Sequence, residues 1–292
     1  MSQPIRELAR EFFRDRFAAF GAALLVAVVV VALFAPALAP QNPYDLATLN
    51  IEDTKLPPGA HSSVNGALHV FGTDEQGRDM LSAIMYGLRT SLWVGLVSTA
   101  LAFVIGSALG LLAGTAGGRT DAAIMRVAEI QLSFPAILIA LILVAVLGQG
   151  PGKIVTALVA VQWAFYARTA RGAALVERGK EYVEAAHCLG LSRPRIVFGH
   201  VLPNCMAPLI VVGALQVASA ITLEATLSFL GLGLPITEPS LGLLISNGFA
   251  QLLSGKYWIS IYPGIALLLT IVAINLVADR LRDVLNPRLQ TL

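Results

Sequence analysis

EYVEAAHCLGLSRPRIVFGHVLPN, residues 181–204, is a polar segment set between long apolar runs. Val183, Ala186 and Leu189 recur at helical spacing, so Glu181–Leu189 reads as a helix continuing the polar helix that starts at Arg171. Gly190 suits a left-handed C-cap, and Ser192 before Pro194 reads as an N-cap with an early helical proline. The expected loop is therefore helix, sharp glycine turn, helix, closing at Pro203. Ala185 and Ala186 beside Glu184 offer a flat surface that a partner can approach closely, with one charge to set register. The loop has little apolar surface of its own to bury, which suits a surface built to meet another protein.

The flanking runs decide the solvent. Of the 292 residues 56% are apolar and 13% charged, against about 25% charged in a soluble domain, and the mean hydropathy is +0.74. Six stretches approach the roughly 20 apolar residues a membrane helix needs: Phe17–Leu38, Ser91–Ala113, Ala122–Leu147, Ile154–Ala170, Ala207–Leu230 and Ile259–Val277. Continuous apolar runs rather than alternation select helices over a barrel. The reading is an all-α integral membrane protein with six spans. Residues 1–16 form a mixed-charge segment and 17–39 an anchor helix. Residues 40–90 form an extracytoplasmic segment with an interfacial helix. A five-helix core covers 91–280, including the loop 171–204, and a tail covers 281–292. The first run is longer than the 7–15 residues of a signal-peptide core, and Pro40 follows the Ala37-Leu38-Ala39 that resembles a cleavage site, so it is read as retained.

With the N-terminus inside, fifteen of the twenty Lys and Arg fall on the cytoplasmic side, leaving Lys55, Arg78, Arg89, Lys153 and Lys256 outside. Both termini and the 181–204 loop are then cytoplasmic. This asymmetry accounts for the net charge of +2 and gives no reason to expect nucleic acid. Cys188 and Cys205 lie on the reducing side at a spacing that matches no metal site, and read as small packing residues.

Within the spans, Ser98, Ala102, Gly106, Gly110 and Gly114 recur every four residues, a stripe on which a second backbone can close. Upstream, Phe71–Leu92 (FGTDEQGRDMLSAIMYGLRTSL) places Asp74, Arg78 and Asp79 within reach of local pairing. Gly72 and Gly77 mark a turn before an amphipathic, interfacial helix.

The loop's motif resembles the cytoplasmic "EAA" loop of ABC-importer permeases: Glu-Ala-Ala, three residues, Gly, nine residues, Ile, one residue, Leu-Pro. Glu184-Ala185-Ala186, Gly190 and Leu202-Pro203 stand at that spacing, with His200 in place of the isoleucine. His200–Asn204 resembles the dipeptide/oligopeptide (nickel) branch, as do Gly72–Asp79, with Ala83 where arginine is usual, Glu224–Gly233, and Asp279–Asp283 with Asn286-Pro287. The resemblance implies a type I importer permease of the bacterial inner membrane. Its implied partners are a homologous permease, two ATPases carrying ATP and Mg, and an extracytoplasmic substrate-binding protein. It implies ATPase coupling through Glu184, Ala185, Ala186, Leu189, Gly190, Leu191 and Arg193. The chain itself is then neither an enzyme nor the holder of a cofactor or metal.

Gly148–Lys153 fails the phosphate-loop spacing, and His61, His69, His187 and His200 are scattered. His200 reads as a loop residue bonding backbone carbonyls. Polar residues at membrane depth are functional candidates. Glu224, Gln162 and Asn275 are candidates for the substrate pathway or for interhelical bonds, Gln131 is a further polar residue at depth, and Glu129 reads as paired with Arg126. Two other classes remain: an ion-coupled secondary transporter, thinly supported by one intramembrane carboxylate, and an intramembrane enzyme, which lacks a catalytic pair.

Overall fold

The computed structural model describes residues 10–45, 49–235 and 237–285. Residues 10–14 are helical and lead into α1, Arg16–Leu33, capped by Asp15 whose Oδ1 accepts from the Phe17 amide at 2.7 Å. Helix α2 (Met80–Ala116) is followed by α3 (Gly118–Leu132), α4 (Ala136–Leu147) and α5 (Pro151–Glu177). A short α6 (Glu181–Cys188) precedes α7 (Arg193–Phe229), which contains a π-turn over Val197–Val201. Helices α8 (Leu241–Phe249) and α9 (Trp258–Leu285) complete the bundle. Among the described residues the strands are β1 (Ala60–His61) and β2 (Leu68–His69), an antiparallel pair between α1 and α2.

The bundle is built on α2, and the small-residue stripe does what its spacing predicts. Ser98, Ala102, Gly106, Gly110 and Gly114 are all buried. A Cβ at Gly106 would lie 2.2 Å from the Trp163 carbonyl oxygen, and one at Gly110 2.2 Å from that of Ala167. Lipid supplies no hydrophobic force between helices, so this backbone-to-backbone closeness is the source of α2–α5 cohesion. Helix α1 stays peripheral: only Ala18, Gly21 and Ala32 are buried along it, and Gly21 admits the Leu276 side chain of α9.

Four described helices are long and apolar enough to cross a membrane, and the bent pair α3–α4 makes a fifth. The expected single span Ala122–Leu147 is corrected here. It breaks at Ser133–Pro135, and α3 and α4 meet at 93°. Pro135 cannot donate a helical hydrogen bond and disfavours helix at Phe134. The expected span Ile154–Ala170 lies inside α5, a helix that carries Gln162, Arg168 and Arg171 and is not one of those four.

The interfacial helix is corrected too. It is the first part of α2, whose 37 residues reach about 55 Å, so the boundary placed at 90/91 falls inside a helix. Met80, Ala83, Ile84 and Leu88 of this part lie in the core, not on a surface. A polar clamp explains why. Asp79 caps α2, accepting from the Ser82 amide at 2.8 Å and hydroxyl at 2.7 Å, and pairs with His69 Nδ1 at 3.0 Å. Gln41 accepts from the Asp79 amide at 2.7 Å, tying the end of the first apolar run to the start of α2. Arg78 is 1% exposed and its Nε donates to Asp74 Oδ2 at 2.6 Å, the local pairing the spacing predicts. Trp258 Nε1 donates to the Thr73 carbonyl at 3.2 Å and brings in α9. Gly72 holds a φ of 76°, and a Cβ there would meet the Leu56 carbonyl at 2.5 Å.

Candidate coupling surface and intramembrane cavity

The 181–204 segment departs from its expected course at both ends. Helix α5 stops at Glu177 with Arg178 as C-cap, so Glu181–Cys188 is a separate helix rather than a continuation. The Glu177 carboxylate fixes the break. Lys180 Nζ lies 2.6 Å from Oε1, and the Tyr182 hydroxyl donates to Oε2 at 2.5 Å. Burial alone would raise the Glu177 pKa, but these two hydrogen bonds and the Lys180 charge outweigh it and hold the carboxyl below its ordinary range. Burial, joined by the hydrogen bond to Glu177 and its charge, pushes Tyr182 up to about 12.

At the other end the loop does not close at Pro203. Helix α7 starts at Arg193 and runs through Pro203 and Pro208, and the π-turn at Val197–Val201 lies just ahead of Pro203, where it accommodates that proline's missing amide. Ser192 stands at the N-cap in extended conformation, but its side chain makes no capping bond. His200 contributes its carbonyl, which accepts from Asn204 Nδ2 at 2.7 Å, rather than ring bonds to backbone carbonyls.

Between these ends the glycine turn is as expected. Gly190 takes φ 73°, and the Leu191 amide donates to the Ala186 carbonyl at 3.2 Å, a Schellman-type ending. Val183 and Ala186 are buried with Ile196, Val201 and Cys205, and fasten α6 to the bundle. The expected apolar face therefore stops at Ala186, since Leu189 is 79% exposed at the tip. Glu184, Ala185 and Arg193 are exposed around it and Leu191 is half-buried. A bundle that exposes a leucine on a capped, anchored turn presents a rigid apolar point to whatever meets it.

The three pathway candidates separate. Gln162 and Asn275 line one cavity of about 450 Å³ with Phe165, Gln216, Ser219 and Thr222. Gln162 Nε2 donates to the Gln216 carbonyl at 3.0 Å, linking α5 to α7. Glu224 is outside this cavity and fully buried, accepting from Ser91 Oγ of α2 and Ser228 Oγ, each at 2.8 Å. Its bonds join α2 to α7. Gln216 and Thr222 are cavity residues absent from the candidate pair, although Gln216 interrupts an apolar run and so carried the same signal as Gln162. Gln131 bonds α3 to α5, donating to the Ala160 carbonyl at 2.7 Å and accepting from Trp163 Nε1 at 2.7 Å. Arg126 and Glu129 do not form the expected ion pair; Glu129 is exposed and acts on Arg171, which pairs with Asp121 at 2.5 Å. Among the described residues no cluster of three His, Cys, Asp or Glu is placed to hold a metal ion.

Residues 106–291 match the model of the binding-protein-dependent transport system inner membrane component, and residues 3–58 that of the N-terminal TM domain of oligopeptide transport permease C. The chain belongs to this permease family. The permease is 38% identical to the di/tripeptide transport system permease protein DppC of Pseudomonas aeruginosa (strain UCBPP-PA14) over 287 residues, 98% of this chain and 93% of that one. It is 40% identical to the dipeptide transport system permease protein DppC of Escherichia coli (strain K12) over 287 residues, 98% and 94% of the two chains. It is also 40% identical to the probable D,D-dipeptide transport system permease protein DdpC of the same strain over 267 residues, 91% and 86%. In fold the permease is similar to a chain of the MetNI methionine ABC transporter in inward-facing conformation, with TM-score 0.58 and 19% identity, covering 71% of this chain and 98% of that one. It is a multi-pass inner-membrane transport component. Asn286-Pro287, part of the C-terminal resemblance, lies outside the described residues, as do residues 1–9.

Proposed function

We propose that this permease is one of two homologous transmembrane subunits of an ATP-driven importer for di- or oligopeptides, docked through its 181–204 loop on an ATPase. One observation carries the reading: an exposed tip of Glu184, Ala185 and Leu189 stands on a helix fastened by Val183 and Ala186 and ended by Gly190. Such a tip transmits a push because it is held to α5 and α7 and is itself uncovered. Leu189 and Ala185 supply the apolar contact, Glu184 the charge that sets register, and Ala186, Gly190, Leu191 and Arg193, the first residue of α7, the shape of the turn. Two ATPases with bound ATP and Mg would draw the two tips together, and a substrate-binding protein would meet the opposite end. ATP and the loaded binding protein bias the inward- and outward-open states only through contacts that differ between them.

The orientation consistent with the Lys and Arg distribution puts both termini and α6 in the cytoplasm and the β1–β2 segment outside. Six spans follow if α5 and the broken α3–α4 each count as one. The cavity at Gln162, Gln216 and Asn275 is the stretch of pathway this subunit contributes. Peptide cargo is supported by the curated relatives, whose names are those of peptide and dipeptide permeases. The test is affinity purification of the tagged permease in mild detergent with mass spectrometry of its companions. Recovery of a second permease and P-loop ATPases, with the ATPases lost on Glu184→Arg, is the expected result. A permease that purifies alone from native membranes would remove the importer reading and bring forward the ion-coupled one.

A further inference from the structure

A groove of about 820 Å³ lies between α6, the end of α2 and the start of α7, apart from the Gln162 cavity. Its walls are apolar: Ala108, Leu111 and Leu112 of α2 face Val197, Phe198 and Val201 of α7. Its mouth carries Arg178, His187 and Arg193, and no acidic residue lines it. The depth decides what class of molecule fits. From Ala116 at the mouth to Ala108 the groove follows α2 for eight residues, about 12 Å into the hydrophobic length. A docked protein surface has no segment to send down such a slot between helices, whereas an acyl chain does.

The rim supplies the complementary charge. Arg178 is held by its Nη1, which donates to the Gly114 carbonyl at 2.9 Å, and it lines the groove. Arg193 is exposed, and the neighbouring carboxylate of Glu177 is already bound by Lys180 and Tyr182. We infer that this groove holds an anionic phospholipid of the leaflet on the α6 side, its chain between α2 and α7 and its phosphate on Arg178 and Arg193. Basic pockets between membrane helices are the usual sites for such headgroups. Because Val183 and His187 of α6 form part of the wall, a bound lipid braces the coupling helix against the bundle and makes coupling sensitive to anionic lipid. The orientation proposed above enters only in naming the leaflet as cytoplasmic; the groove and its charges are independent of it.

The test is native mass spectrometry of the detergent-solubilised complex, or of the tagged permease as it purifies, titrated with phosphatidylglycerol or phosphatidylcholine of identical chains. Phosphatidylglycerol should be retained in preference. Each arginine near an anionic headgroup contributes about a fivefold factor, so Arg178→Ala should weaken retention about fivefold, and Arg178→Ala with Arg193→Ala about 25-fold. Arg178→Lys should keep most of the preference. Ala108→Trp, which fills the slot, should lower retention of both lipids. Equal retention of the two lipids by the unaltered permease, or an unchanged preference in the double variant, would overturn the inference whether or not ATPases co-purify.

Discussion

Substituting alanine for Gly110 and for Gly172 adds one methyl group to each of two helices, and the structure predicts opposite results. At Gly110 the new Cβ would stand 2.2 Å from the Ala167 carbonyl oxygen and 2.7 Å from the Ala170 Cβ. Ordinary contact begins near 3.4 Å, so α2 and α5 must separate by about 1 Å along their most intimate stretch. Neither obstacle is the end of a flexible side chain, so the strain falls on the helix pair and costs about 1–3 kcal/mol. At Gly172 no heavy atom lies within 4 Å and the residue is exposed. Alanine there relieves glycine's helical disadvantage, a gain of up to about 1 kcal/mol. The assay is thermal unfolding of the purified permease in one detergent, followed by fluorescence-detected size exclusion. Gly110→Ala should melt several degrees below the parent, and Gly172→Ala at or above it. Equal melting of the two variants would refute the claim that backbone closeness along this stripe holds the bundle.

Glu224→Gln should preserve transport and stability because an amide oxygen still accepts from Ser91, whereas Glu224→Ala should lower the melting temperature of the purified permease; loss of uptake in a fully stable Glu224→Gln complex would instead make it a cargo contact. Arg78→Ala leaves Asp74 as an uncompensated buried charge, and should cost about 3–5 kcal/mol, read as a fall in folded yield that Asp74→Asn with Arg78→Met restores in part. Asp53 tests the outer segment. Burial would raise its pKa, but the Ser62 hydroxyl and the Ser63 amide and hydroxyl outweigh it and hold the carboxyl below its ordinary range. A depressed carboxyl stabilises above its unfolded pKa and loses that contribution as pH falls through the folded value. The melting difference between parent and Asp53→Asn should therefore be full near neutrality and vanish in acid. Tyr182, raised to about 12, has the opposite sign: its contribution is complete below about 10 and disappears as pH rises through 12, so Tyr182→Phe should differ from the parent near neutrality and converge with it in strong alkali.

The parts of the fold that were legible in the sequence are those set by local sterics. The stripe from Ser98 to Gly114 named its own contact face, since only small residues repeat there. Gly190 named the turn, and Asp74 and Arg78 their pairing. What escaped was set by tertiary context. The run Ala122–Leu147 looks continuous because hydropathy ignores direction, and only Pro135 marked the break. The stop after Glu177 rests on Lys180 and Tyr182 closing on one carboxylate, with Gly179 as its modest signal. Pro203 looked like an end because prolines break soluble helices, yet membrane helices tolerate them where local π adjustments and neighbours satisfy the backbone. The first turns of α2 looked interfacial because the clamp from Gln41 and His69 is non-local. Polarity alone grouped Glu224 with Gln162 and Asn275; burial separated it from them.

Cross-linking measures directly whether the tip of the α6–α7 turn meets an ATPase. In a Cys188→Ser background, Leu189→Cys at the tip and Leu253→Cys, fully exposed at the opposite end, would each be treated in native membranes with a short bifunctional thiol reagent. The products would be identified by mass spectrometry. A P-loop ATPase joined to position 189 and absent from position 253 is the expected result. An active complex in which position 189 joins no ATPase, or position 253 does, would contradict it.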